Sequence, residues 1–248
     1  MNVNFDFSGK NFIIVGASSG IGKSAAIELV KGGANILAIG RNTERLDALK
    51  EIAPEKIFTV SLDVTCATAE NWANALENFK NIYGKIDGGI YSAGIFGLTP
   101  INSFNRELAQ KIFDTSFWGM IDFIEIASKK KFSNLKSSFV VMSSVAATDA
   151  PKSLFAYSAA KAAVQTAIKS LAKEIIRNGH RINSVAPGIT KTGMAESGFS
   201  GDEIISRQIL GVANPEDITG MILFLLSTRA DFITGQNFFV DGGYLLNI

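Results

Sequence analysis

Several residues that simple chemistry depends on are scarce in this chain. There is one cysteine, Cys66, in 248 residues, so no intrachain disulfide can form and no thiolate cluster can hold a metal. Cys66 is expected to be a small packing residue, buried or half buried. There is also one histidine, His180. That excludes two-histidine zinc motifs and leaves any Ser-His-Asp triad hanging on a single side chain. His180 sits in Asn178-Gly-His-Arg181, a helix-to-strand turn, and is expected to be exposed. No metal is expected. Charge of one sign is missing as well: 24 Lys+Arg against 23 Asp+Glu leave a formal +1. So weak a field collects neither nucleic acid nor an anionic membrane. Residues 1–10 lack the apolar core of a signal peptide, and the longest apolar stretch, residues 221–226, is far below the ~20 residues that span a bilayer. A cytoplasmic protein with a small-molecule substrate is the expectation.

The chain is rich in core material. Hydrophobic residues make up 47% and charged residues 19%, enough to seal a sheet on both faces. Short apolar runs at 11–15, 35–39, 56–62, 86–91, 138–142, 181–186 and 238–240 read as strands. Helical periodicity lies between them, at 44–52, 65–83, 106–132, 155–178 and 215–227. Continuous apolar strands alternating with helices predict a parallel sheet covered on both sides. Right-handed crossovers make it a Rossmann-like, doubly wound α/β fold of seven strands with a crevice at the strand C-termini. Only five prolines occur, none placed like a linker, and no repeat or charge block divides the chain. One domain over residues 1–248 is predicted, with 188–211 as a flap over the crevice.

After the first strand come Gly16, Gly20 and Gly22, spaced GxxxGxG. A tight turn there lets backbone approach a pyrophosphate, and the following helix offers free N–H groups and a positive dipole end. Gly22-Lys23-Ser24 imitates the end of a P-loop, but that motif needs glycine where Ala17 stands. Lys23 then reads as a solvated residue of the first helical turn. After the second strand, Gly40 occupies the place of the acid that grips ribose hydroxyls, and Arg41 follows with Asn42 and Thr43. An arginine suits a 2′-phosphate, so NADP(H) is the expected cofactor and NAD(H) the alternative.

Tyr157 and Lys161 stand four residues apart on a predicted helix, hence on one face. A phenol titrates near ~10. A neighbouring ammonium should lower that value and fit it for proton exchange with a carbonyl or alcohol oxygen. Ser143-Ser144 ends the fifth strand, at the crevice edge, where a serine can donate to the substrate oxygen.

With these residues in place the chain resembles the classical short-chain dehydrogenases/reductases, over about residues 8–245. The shared set is the glycine turn, Asp63-Val64, Ser144, Tyr157, Lys161, Asn183, Pro187-Gly188, Thr192 and the closing Val240-Asp-Gly-Gly243. The resemblance implies hydride transfer between NADP(H) and a carbonyl or secondary-alcohol carbon. Ser144 would position the carbonyl, Tyr157 act as acid/base, and Lys161 bind the nicotinamide ribose. It further implies cofactor contacts from Gly16, Ser18, Ser19, Gly20, Ile21, Gly22, Asp63, Val64, Ser92, Ala93, Gly94, Pro187, Gly188, Ile189 and Thr192, with Arg41 and Asn42 at the adenosine end. Homodimers or homotetramers are also implied, because helices near 113–126 and 164–176 form the dimer face in the family.

Three departures stand out. Val15 replaces a threonine, and the usual Asn-Asn-Ala-Gly reads Tyr91-Ser92-Ala93-Gly94. The catalytic asparagine falls at Ser116, which is shorter but can still hold a water, so activity that is slower or uses a rearranged relay is expected. Ser116 and Tyr91-Ser92 also motivate the alternative of a catalytically impaired, dinucleotide-binding sensor or scaffold. The substrate wall is expected from Ile95, Phe96 and Leu98, from 146–155, and from Met194 and Phe199 in the flap. It is apolar, which suits a 3-oxoacyl or other largely apolar substrate.

Overall fold

The computed structural model describes residues 4–193 and 207–246. Seven strands pair: β1 (Asn11–Val15), β2 (Asn35–Gly40), β3 (Ile57–Ser61), β4 (Ile86–Tyr91), β5 (Ser133–Met142), β6 (Arg181–Pro187) and β7 (Asn237–Val240). Their order is β3-β2-β1-β4-β5-β6-β7, and every pairing is parallel. Parallel neighbours need crossovers. These are supplied by α1 (Gly20–Lys31), α2 (Thr43–Lys50), α3 (Ala69–Tyr83), α4 (Arg106–Phe113), α5 (Gly119–Ala127), α6 (Ala146–Asp149), α7 (Phe155–Ile175) and α8 (Pro215–Leu226).

Alternation along each strand sends its side chains into two separate cores. Phe12, Ile14 and Ile36 meet Leu29 of α1, Leu46 and Leu49 of α2, and Ile218 and Ile222 of α8. Ile13, Leu37 and Phe139 meet Trp72 and Phe79 of α3, Phe123 of α5, and Val164 and Ile168 of α7. The chain is therefore a single doubly wound α/β domain. β1 lies between β2 and β4, so successive connections leave it in opposite directions. That topology opens a crevice beyond the C-termini of β1 and β4.

Several expectations need correction. The helix expected over 106–132 is interrupted: residues Asp114–Trp118 form a π-helical turn, and Gly119 N–H reaches back five residues to the Asp114 carbonyl. One extra residue per turn leaves the apolar periodicity nearly intact, so the sequence hides the break. β5 starts five residues earlier than expected, because Lys136 adopts φ 64° and takes up a register shift opposite Ile86 and Gly88. α3 begins at Ala69 rather than at 65, since Thr68 and Asn71 form a capping box there.

His180 is not exposed but fully buried. The turn out of α7 is so short that the ring drops between β5 and the end of α5. Its Nδ1 accepts from Ser137 N–H and its Nε2 donates to the Ser128 carbonyl, both at 3.1 Å. Cys66 goes the other way and is exposed, because it lies in the loop before α3 rather than on its packed face. No helix among the described residues is long and apolar enough to cross a membrane.

Candidate active site

The crevice holds a cleft of about 920 Å³. At one end is the turn from β1 into α1. Gly16 has φ +88°, and a β-carbon there would come within 2.7 Å of the Ala93 nitrogen. A β-carbon at Gly22 would collide with the Gly16 carbonyl. Gly22 therefore closes the turn from behind and does not line the cleft, whereas Gly16, Ser18, Ser19, Gly20 and Ile21 do. Ser19, the α1 N-cap, makes no side-chain capping bond, and the first turn carries no acid. The positive end of α1 is thus neither capped by Ser19 nor neutralised, which suits an anionic group such as a pyrophosphate.

Arg41 lines the same end with Lys23, Arg45, Asp63 and Val64. Arg41 Nη1 lies 3.8 Å from Asp63 Oδ2, with both side chains substantially exposed. Burial raises the Asp63 pKa, but Thr65, which donates its N–H at 3.0 Å and its hydroxyl at 2.8 Å, together with the Arg41 charge brings it below the usual carboxylate value. Asn42 does not line the cleft. Its side chain accepts from Arg45 N–H at 2.8 Å as the N-cap of α2, so its carbonyl oxygen is committed to the helix.

At the other end, β4 delivers Ser92, Ala93 and Gly94, and β5 delivers Met142, Ser143 and Ser144. Tyr157 and Lys161 project from the first two turns of α7 into the same cleft. Both are buried. The Lys161 ammonium donates to the Met142 carbonyl at 2.9 Å and lies 5.8 Å from the Tyr157 ring centroid. Ser143 faces away from the chemistry: its hydroxyl donates to the Lys161 carbonyl and accepts from Gln165. It ties β5 to α7 and sets their spacing.

Electrostatics here differ from the sequence expectation. Burial pushes the Tyr157 phenol above 10, and the Ser144 hydroxyl beside it only partly offsets that. Burial also lowers Lys161 from 10.5 to about 8. The expected acidified phenol is not what the protein's own groups produce, because desolvation disfavours the charged forms of both Tyr157 and Lys161. The phenol is held as a proton donor.

Ser116 is buried beneath this end and does not line the cleft. Its hydroxyl has no hydrogen-bond partner among the described residues, and it flanks Gly94, as the Lys161 ammonium does. A β-carbon built on Gly94 would stand 3.4 Å from Lys161 Nζ and 3.6 Å from Ser116 Oγ.

Pro187, Gly188, Ile189 and Thr192 line the third side. Nothing in the sequence marks the residue that holds them. Gln208 is buried, accepts from Ile189 N–H at 2.7 Å, and donates to the Ile189 and Gly211 carbonyls. Tyr244 also lines the cleft, while Asp149 accepts from its hydroxyl and from Arg207. Apart from the Gln208–Gly211 bond, these contacts join residues far apart in the sequence. Of the expected substrate wall, Ile95, Phe96, Ala146 and Pro151 line the cleft, whereas Leu98 and Phe155 are exposed. Met194 and Phe199 lie outside the described residues. Asn183 serves the frame instead, donating to the Ile233 carbonyl and accepting from Gln236 N–H.

The chain is similar to known proteins over nearly its whole length. A family model described as enoyl-(acyl carrier protein) reductase matches residues 16–245. L-xylulose reductase of Caenorhabditis elegans is 31% identical, with all of both chains covered. A 3-oxoacyl-(acyl-carrier-protein) reductase of Thermotoga maritima is 30% identical, covering 96% of this chain and 98% of its own. An NAD-dependent glycerol dehydrogenase of Listeria innocua is 27% identical, covering 98% and 96%. Among solved structures, a short-chain dehydrogenase/reductase from Brucella melitensis superposes with a TM-score of 0.90 at 27% identity, over 98% of this chain and 99% of that one. The chain belongs to the classical short-chain dehydrogenase/reductase family, oxidoreductases that act on carbonyl and alcohol substrates.

Proposed function

We propose that this protein is an NADP(H)-dependent carbonyl reductase in which Tyr157 is the acid, Ser144 the carbonyl-positioning donor and Lys161 the ribose-binding cation. The observation that carries the reading is that Ser144, Tyr157 and Lys161 line one cleft with the uncapped glycine turn. When bound, the nicotinamide supplies or accepts the hydride. Gly16, Ser18, Ser19, Gly20 and Ile21 would hold the pyrophosphate, and Asp63, Val64, Ser92, Ala93 and Gly94 the adenosine and its ribose. Pro187, Gly188, Ile189 and Thr192 would flank the nicotinamide.

The protein's part in the chemistry is to handle a proton. Burial keeps Tyr157 protonated, so it can give a proton to a carbonyl oxygen held by the Ser144 hydroxyl, the role of a general acid in the reductive direction. Lys161, still largely cationic at neutral pH with a pKa of about 8, stabilises the phenolate left behind. Support for NADP(H) comes from Arg41, Arg45 and Lys23 gathered at the adenosine end with no acid in the place of Gly40. Support for an uncharged or acyl substrate comes from Ile95, Phe96, Val145, Ala146 and Ile189 on the wall. Exposed apolar side chains such as Trp118 and Ile176 support self-association of a cytoplasmic homodimer or homotetramer through the α5 and α7 faces.

The test is consumption of NADPH and NADH against a panel of small ketones, ketoses and β-ketoacyl thioesters, with Tyr157→Phe as control. Turnover with NADPH that vanishes in the control is expected. Cofactor binding without turnover of any carbonyl would favour a sensor or scaffold, and a clear preference for NADH would remove the NADP(H) assignment.

A further inference from the structure

Two of the chain's departures from its family, Tyr91 and Ser116, meet in the structure. Tyr91 ends β4, with its ring in the core against Phe123 at 5.7 Å. Its hydroxyl donates to the Thr115 carbonyl at 2.6 Å. Thr115 belongs to the π-helical turn Asp114–Trp118, one residue before Ser116. The space for that hydroxyl exists because residue 119 is glycine: a β-carbon there would collide with it. A phenylalanine would fill the core equally well. A buried hydroxyl costs free energy unless it is paired, so its single hydrogen bond is the feature that distinguishes it. Burial first, then Asp122 and Asp63, raise the Tyr91 pKa well above its ordinary value; it remains a donor across the working range.

The turn that Tyr91 grips carries a polar atom with no partner among the described residues. Ser116 Oγ is buried and unbonded, and it shares the space under Gly94 with the Lys161 ammonium. An α-helical turn in place of the π turn would rotate residue 116 about the helix axis and move its hydroxyl away. We propose that Tyr91 is a positioning residue. Its bond to Thr115 holds the π-helical register and thereby keeps the Ser116 hydroxyl beside Lys161. This rests on the oxidoreductase reading above, and it makes the two departures one coupled change.

The experiment is a double-mutant cycle of Tyr91→Phe and Ser116→Ala, assayed by NADPH oxidation with 2,3-butanedione and with acetoacetyl-CoA. Tyr91→Phe should lower kcat about fivefold, the scale of one neutral hydrogen bond. It should also displace the high-pH limb of kcat and leave both KM values within about twofold. In the Ser116→Ala background the same change should have no effect on kcat. Without cofactor, hydrogen exchange should quicken in the peptide spanning 114–119 and nowhere else. If Tyr91→Phe does not fold, Gly119→Ala attacks the same bond from the other side, though it also crowds Val64 and the Asp114 carbonyl, and its kcat loss should likewise shrink in the Ser116→Ala background. A merely structural role would lower the melting temperature and leave the pH profile unmoved. An unmoved profile, or an equal loss in both backgrounds, overturns the proposal while the enzyme reading stands. No turnover by the wild-type chain with either substrate or with the wider panel overturns that reading, and the positioning role with it.

Discussion

The two ends of the cleft belong to one crevice but work in different dielectric regimes. At the adenosine end Arg41 and Asp63 are 56% and 38% exposed in their side chains, and water screens both. At the catalytic end Tyr157, Lys161 and Ser116 are each under a tenth exposed. Exposed charges add modest, salt-sensitive binding energy. Buried ones shift their own protonation, so a few ångströms of placement decide whether they function. On the proposed assignment, selection between cofactors can therefore change by a surface substitution, whereas the proton-transfer end tolerates little.

This contrast can be tested from its strongest effect downward. Tyr157→Phe should cut turnover by about 10²–10⁴-fold while NADPH binding, followed by its fluorescence, changes little. A large loss of binding would mean that the two ends are not separable. Arg41→Ala should weaken NADPH about tenfold at low salt, less at high salt, and leave NADH unaffected. Equal weakening of both cofactors would sink the 2′-phosphate role.

The buried lysine gives a smaller effect with a definite sign. Between about 8 and 10.5 the unfolded chain binds a proton at Lys161 that the folded chain does not, so the lysine's contribution to stability must rise with pH through that window. Denaturation of wild type against Lys161→Met from pH 7 to 10 should show it; a flat difference would mean that the ammonium is better solvated than its burial implies. His180 should give the smallest effect. Burial lowers its pKa from 6.5, so the unfolded state takes up the proton first. Stability should then fall as pH drops from 6.5 through the lower folded value, and His180→Gln should lack that slope in urea melts at pH 5 to 7.

Much of this molecule was legible because local pattern carried it. The glycine turn is a backbone requirement, and Gly16 at φ +88° meets it by composition alone. Tyr157 and Lys161 share a face because any helix puts i and i+4 together. The strands were legible from their apolar runs, although the first five residues of β5 were not, since a bulge at Lys136 separates them from the apolar stretch. Asn42 looked like a ligand donor and serves as a helix cap; the same side chain suits both tasks, and only the position of Arg45 N–H distinguishes them. His180 looked like a turn residue because the β5 and α5 groups that bury it lie about 40 to 50 residues away.

Periodicity and spacing by themselves determined the doubly wound sheet, the glycine turn and the tyrosine–lysine pair, because those depend on short-range geometry. Tertiary structure alone decided how charged the site is, since desolvation is a sum over neighbours from every part of the chain. It also decided where the helix before Ser116 breaks, because the hydroxyl that meets that turn arrives from a strand 24 residues earlier.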